Sequence, residues 1–133
     1  MNWGTWISAT RPKTLVASFI PVMIGASLAY SAHQEINLLL LFLCFSFSLL
    51  VQIGTNLAND YFDYIRGSDR NRVLAPTRAV ASGLLRPNHV RNAAYLFLGI
   101  GFTVGIMIYN ISKGPHSLLW IGLASILCAI VYT

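Results

Sequence analysis

Residues 56–69 read NLANDYFDYIRGSD. This stretch holds three of the chain's four acidic residues, Asp60, Asp63 and Asp69, yet it begins inside one of the most apolar regions of the sequence. At about 100° per residue, positions three, four and seven apart share one face of an α-helix. Gln52, Asn56, Asn59, Asp60 and Asp63 fit that spacing and form one polar stripe, roughly 100° wide. The other faces carry Val, Ile, Leu, Phe and Tyr. Charge turned towards lipid costs several kcal/mol, so the stripe is expected to face protein or a water-filled cavity.

Lipid is the relevant solvent. The chain of 133 residues is 56% hydrophobic and only 10% charged, where a soluble domain carries about 25% charged residues. Four apolar stretches run over about 14–32, 36–62, 93–111 and 117–133. Roughly 20 helical residues cross a hydrocarbon core, so the first three are long enough and the fourth falls slightly short. Unpaired backbone groups cannot face lipid, which makes these stretches helices and the fold all-α, a multi-pass transmembrane bundle. Pro21 is expected to kink the first. Gly101 and Gly105 form a GxxxG pair in the third, which can admit a second helix closely. Cys44 and Cys128 lie in apolar runs and read as buried single thiols.

The basic residues are segregated. Arg11 and Lys13 precede the first stretch, and Arg66, Arg70, Arg72, Arg78, Arg86 and Arg91 lie between the second and third. The other two connections hold only Lys113. Lys and Arg favour the cytoplasmic side, which places the N-terminus and the long second connection there, in an inner (plasma) membrane. Trp3, Trp6, Tyr61 and Tyr64 fit an aromatic belt at that interface. The net charge of +5 brackets membrane spans, so nucleic acid is not an expected partner.

Three readings of the stripe compete. Amides hydrogen-bond between helices, which suits Gln52 and Asn56. Two aspartates three residues apart would repel if both ionised, which favours an ion or proton path, or a hard-cation site. Mg²⁺ takes oxygen ligands, commonly one or two carboxylates together with substrate phosphates and waters, and Asn59, Asp60 and Asp63 offer such oxygens. Arg70, Arg72 and Arg78 share the membrane face of these carboxylates. They suit salt bridges, anionic lipid head groups, or a diphosphate, whose oxygens guanidinium matches bidentately. His33, His89 and His116 are scattered, and neither a Gly-rich phosphate loop nor a serine-nucleophile elbow occurs.

The sequence resembles the intramembrane aromatic prenyltransferases, the UbiA superfamily. Their first acidic motif, N-D-x-x-D, stands here as Asn59-Asp60-Tyr61-Phe62-Asp63. In many members a third Asp follows four residues later, a position that is Gly67 here; this chain has Asp69 instead. That spacing, with TRPKTL at 10–15 and PTRAVASG at 76–83, is similar to the branch acting on 1,4-dihydroxy-2-naphthoate. The resemblance implies a nine-helix bundle with two acidic motifs facing a central cavity. Only the first motif is present, and Glu35 lies in the opposite connection. Residues 1–133 are therefore expected to form four helices, the N-terminal part of a single transmembrane prenyltransferase domain, inactive alone.

The resemblance also implies a reaction. A polyprenyl chain passes from polyprenyl diphosphate to 1,4-dihydroxy-2-naphthoate with loss of CO₂, in quinone (menaquinone or phylloquinone) biosynthesis, with Mg²⁺ between the carboxylates and the diphosphate. Asn59, Asp60 and Asp63 are the implied metal ligands, with Asp60 and Asp63 catalytic. Lys13, Asp69, Arg72 and Arg78 are the implied substrate contacts. Another aromatic acceptor, such as 4-hydroxybenzoate or homogentisate, stands as the alternative within the class. A transporter or channel segment using the stripe as an ion path stands outside it. The charge asymmetry predicts that a Ser68→Cys variant in sealed, right-side-out vesicles reacts with impermeant thiol reagent only after the membrane is opened; labelling from outside would invert the topology.

Overall fold

The computed structural model describes residues 3–67 and 78–131. Among them all regular structure is helical: α1 (Trp3–Ala9), α2 (Pro12–His33), α3 (Leu38–Ile65), α4 (Pro87–Ser112) and α5 (Ser117–Val131). Three of these, α2, α3 and α4, are long and apolar enough to cross a membrane, and α5 is a shorter apolar helix. The four apolar stretches are thus recovered, with later or earlier ends and one added helix.

The ends follow local chemistry. Pro12 and Pro87 open α2 and α4, where the missing proline N–H falls among amides that have no helical partner anyway. Hydropathy places the start of α4 six residues later because its first turns are polar. The side chain of Asn37 accepts a hydrogen bond from the Leu40 amide at 3.1 Å and caps α3. Gln34, with φ 58, ends α2, its amide donating to the Tyr30 carbonyl at 2.8 Å. The seven-residue α1 has no periodic signature. Tertiary packing holds it: Ala9 is buried and Trp6 lies against the same apolar cluster. Trp6 and Tyr61 are partly buried against this cluster, while Trp3 and Tyr64 stay exposed.

At 1.5 Å per residue the 28 residues of α3 span about 42 Å, and a hydrocarbon core takes about 20 residues, so roughly two turns are left over. The most extensive pairing in the bundle is α3 with α4, followed by α2 with α3. Glycines set the first of these. A Cβ at Gly101 would meet Val51 Cγ2 at 3.3 Å, and one at Gly105 would meet Phe47 Cε2 at 3.2 Å. The GxxxG pair therefore faces α3. Gly54 answers from the other side, where a Cβ would lie 2.7 Å from Leu98 Cγ. In lipid no hydrophobic force drives helices together, so close van der Waals contact of this kind carries the association. The α2–α3 pair is tied by the Ser48 hydroxyl, which donates to the Ser18 carbonyl at 2.8 Å, and α2 runs on through Pro21.

A second centre of packing lies at the stripe end of α3. Leu57 and Ala58 of α3 meet Ala9 of α1, Val90 and Ala94 of α4, and Ala79, Val80 and Leu85 from the segment preceding α4. That segment turns back through Gly83 (φ 73), with the Leu85 amide donating to the Ala79 carbonyl at 3.0 Å. Both cysteines are free; Cys44 is half-buried, but Cys128 is exposed rather than buried. Filling the α3–α4 contact should be costly. Gly54→Val is expected to lower stability by about 1–3 kcal/mol through overpacking, whereas Gly99→Ala, which opens onto empty space, should be close to neutral. Thermal melting in detergent compares the two; equal melting temperatures would refute the assigned contact.

Candidate functional site

The stripe on α3 is covered by protein, as lipid requires. Asn56 is 4% exposed, and its Nδ2 donates to the Thr10 carbonyl at 2.8 Å and to the Thr14 hydroxyl at 3.0 Å. The interhelical hydrogen bonding read for Asn56 is therefore present, and its partners bracket the corner between α1 and α2. One turn further along, Asp60 is 2% exposed. One turn beyond that, Asp63 forms an ion pair between Oδ2 and Nη1 of Arg78, with both side chains largely covered. The same Nη1 donates to the Asn59 carbonyl at 3.1 Å.

Arg78 is delivered by the segment that packs beneath it, since the next two residues, Ala79 and Val80, are core residues. Burial pushes the Arg78 guanidinium down from its ordinary range; the nearby charge of Arg11 adds to this and Asp60 opposes it. An arginine remains protonated at physiological pH regardless. The mutual repulsion expected of Asp60 and Asp63 is thus relieved by a guanidinium lying close to both.

The structure brings Asn59, Asp60, Asp63 and Arg78 together. It does not bring in Lys13, which is exposed in the first turn of α2 and makes no hydrogen bond or ion pair to the stripe among the described residues. Asp69 and Arg72 lie outside the described residues. Arg66 and Arg91 lie over the rings of Phe62 and Tyr61, each at 6.0 Å. Glu35 sits in the connection at the opposite end of α3, as its sequence position implied. Sequence reasoning missed Arg11, which lies close enough to Arg78 to act on its charge. The signal available was Pro12, whose position at the head of α2 makes Arg11 the corner residue.

Among the described residues no cluster of three or more His, Cys, Asp or Glu gathers. Two carboxylates remain, a number that suits Mg²⁺ when substrate phosphates complete the shell, while Asn59 joins the group through its backbone carbonyl. Beside the stripe, a largely apolar cavity of about 850 Å³ lies among α2, α3, α4 and α5. Its lining includes Gly25, Phe47, Gly105 and Ile126, and Gln52 brings the head of the stripe to it.

Carboxylates and an arginine gather at one end of the longest apolar helix of a helical, multi-pass membrane protein. The sequence model of the UbiA prenyltransferase family matches residues 18–133, and the chain belongs to that family. It is 32% identical over 134 residues to a 1,4-dihydroxy-2-naphthoate octaprenyltransferase of Haemophilus influenzae, covering 96% of this chain and 43% of that protein. With the protein of the same description from Bacillus subtilis it shares 36% over 125 residues, covering 93% and 39%. A UbiA prenyltransferase domain-containing protein 1 of Danio rerio is 31% identical over 110 residues, covering 83% and 32%. The chain thus spans about two fifths of the length of these bacterial relatives. No solved structure matches.

The Asp63–Arg78 pair is open to a double-mutant cycle. Asp63→Asn and Arg78→Gln should each lower stability by about 1–3 kcal/mol, because each leaves a partly buried charge without its partner, and the double variant should lose less than the sum. Strictly additive losses in denaturant titrations would show that the two side chains do not interact.

Proposed function

We propose that this chain carries the first carboxylate set of an intramembrane prenyltransferase, which moves a polyprenyl group from polyprenyl diphosphate to 1,4-dihydroxy-2-naphthoate with loss of CO₂. One observation carries the reading: in a member of this family, Asp60 and Asp63 share one buried face of α3 with Arg78 locked beside them. The names borne by the Haemophilus influenzae and Bacillus subtilis relatives support this choice of acceptor. The Lys and Arg asymmetry supports an inner-membrane location with the N-terminus and the site on the cytoplasmic side.

The roles follow from the chemistry of the side chains. Asp60, Asp63 and the amide oxygen of Asn59 are the metal ligands. Mg²⁺, when bound there, supplies positive charge against which the departing diphosphate is stabilised. Arg78 donates to phosphate oxygens, and Lys13, Asp69 and Arg72 are the further substrate contacts of this reading. The apolar cavity that Gln52 helps to line suits an isoprenoid tail. The C–O bond between C1 of the chain and the diphosphate breaks. The electron-rich ring carbon forms the new C–C bond at C1, and the ring carboxylate leaves as CO₂.

The protein expressed at the full length its gene encodes, in liposomes with Mg²⁺, should prenylate 1,4-dihydroxy-2-naphthoate and do so far faster than 4-hydroxybenzoate or homogentisate. Chelation of divalent metal should abolish turnover. Asp63→Asn should lose most of it, about 10²-fold or more, with folding retained, and Asp60→Asn should be similar or milder. Wild-type turnover by Asp63→Asn at matched expression and saturating Mg²⁺ would sink the metal assignment.

A further inference from the structure

One member of the polar stripe takes no part in the carboxylate site. Gln52 stands one helical turn from Asn56 and two from Asp60, about 12 Å along the axis of α3 from the latter. Its side chain is half-buried and lines the apolar cavity among α2, α3, α4 and α5. The interhelical hydrogen bond expected of it is not formed: among the described residues its amide makes none. Other polar groups of the lining are committed. The hydroxyls of Ser18, Ser48 and Ser125 donate to the carbonyls of Leu15, Ser18 and Ile121 at 2.6, 2.8 and 2.8 Å, and the Asn37 side chain caps α3. An amide without a partner among apolar groups costs free energy. Polar side chains kept inside a membrane bundle gather along substrate paths.

We propose that Gln52 binds the aromatic acceptor, its side-chain amide hydrogen-bonded to the 4-hydroxyl of 1,4-dihydroxy-2-naphthoate. The inference rests on the prenyl-transfer reading. In that reading the diphosphate sits at Asp60 and Asp63 and the tail in the cavity, so C1 of the donor lies between the two. The acceptor has to meet C1, and Gln52 is the stripe residue at that junction. Chemistry then selects the group it holds. An isoprenoid tail offers an amide no hydrogen bond, and the diphosphate is charged and belongs with the carboxylates and their metal. Of the reacting molecules, only the acceptor brings a neutral polar group into an apolar cavity. Its 1-hydroxyl lies ortho to the carboxylate and bonds to it internally, which leaves the 4-hydroxyl to find an external partner. That hydroxyl can donate to Oε1 of Gln52 or accept from Nε2. Holding it fixes which edge of the ring meets C1.

Gln52→Leu removes the amide and keeps an apolar side chain in the lining. In the protein at the full length its gene encodes, its KM for 1,4-dihydroxy-2-naphthoate should rise about tenfold or more, while its KM for polyprenyl diphosphate stays unchanged. Its melting temperature should be no lower than that of wild type, and if it is lower, Gln52→Met carries the same comparison. The decisive readout varies the ligand as well. A site built to hydrogen-bond a hydroxyl rejects the analogue that lacks it. Wild type should therefore bind 1-hydroxy-2-naphthoate about tenfold more weakly than 1,4-dihydroxy-2-naphthoate, and the variant should bind the two equally. A rise confined to the donor KM would assign Gln52 to the tail and overturn the proposal, as would unchanged KM values for both substrates. Absence of any prenyl transfer by the wild type would refute the reading beneath. Equilibrium binding of the two naphthoates then decides. A preference for the 4-hydroxyl that wild type shows and the variant lacks upholds the role of Gln52; the same preference in both, or none in either, overturns it.

Discussion

Asp60 keeps 2% of its surface accessible and Asn56 keeps 4%, on a helix long enough to cross a bilayer. Neither lipid nor an apolar interior can solvate such groups, and the desolvation of a carboxylate far exceeds what one packing contact returns. The remaining elements at this end of the bundle are arranged to meet that demand. The α1–α2 corner supplies a carbonyl and a hydroxyl to Asn56. The segment before α4 supplies a guanidinium to Asp63. Helix α4 seals the opposite face of α3, where Gly54 lets Leu98 approach within the space a side chain would occupy.

The same arrangement explains why the two aspartates tolerate one another. At three residues' separation on a helix they are neighbours, and the Arg78 guanidinium, paired with Asp63 and acted on by the charge of Asp60, opposes their repulsion. Among the described residues, the formal charges of Arg11, Asp60, Asp63 and Arg78 cancel. A cation and a multiply charged anion can then enter together without leaving net charge in a medium of low dielectric constant, whereas either alone would be opposed.

Hydropathy sufficed for the three long spans, because about 20 apolar residues have few alternative structures in lipid. It misjudged the start of α4, where polar residues follow Pro87, and it passed over α1, whose existence depends on Ala9 and Trp6 meeting residues more than 40 positions away. The stripe was legible because helical spacing alone puts Asn56, Asn59, Asp60 and Asp63 on one face. Spacing narrows the arginine that meets it to one connection, but no further. Six arginines lie there, and the burial of Ala79 and Val80, a tertiary fact, selects Arg78. The partners of Asn56, at Thr10 and Thr14, are equally tertiary. Arg11 was passed over because no residue type announces a left-handed backbone at an arginine, here with φ 53.

Val80 is 2% exposed and Ala79 8%, so the peptide that bears Arg78 is anchored by oily contacts that owe nothing to any ligand. The backbone freedom that this segment would otherwise lose on engaging a partner is therefore already lost on folding, which strengthens any contact the guanidinium makes afterwards. It also uncouples the position of that guanidinium from the length of the connection leading to it. Residues could be inserted or deleted between Gly67 and Arg78 over evolutionary time, and the anchor at 79–80 would still return the arginine to the same carboxylate.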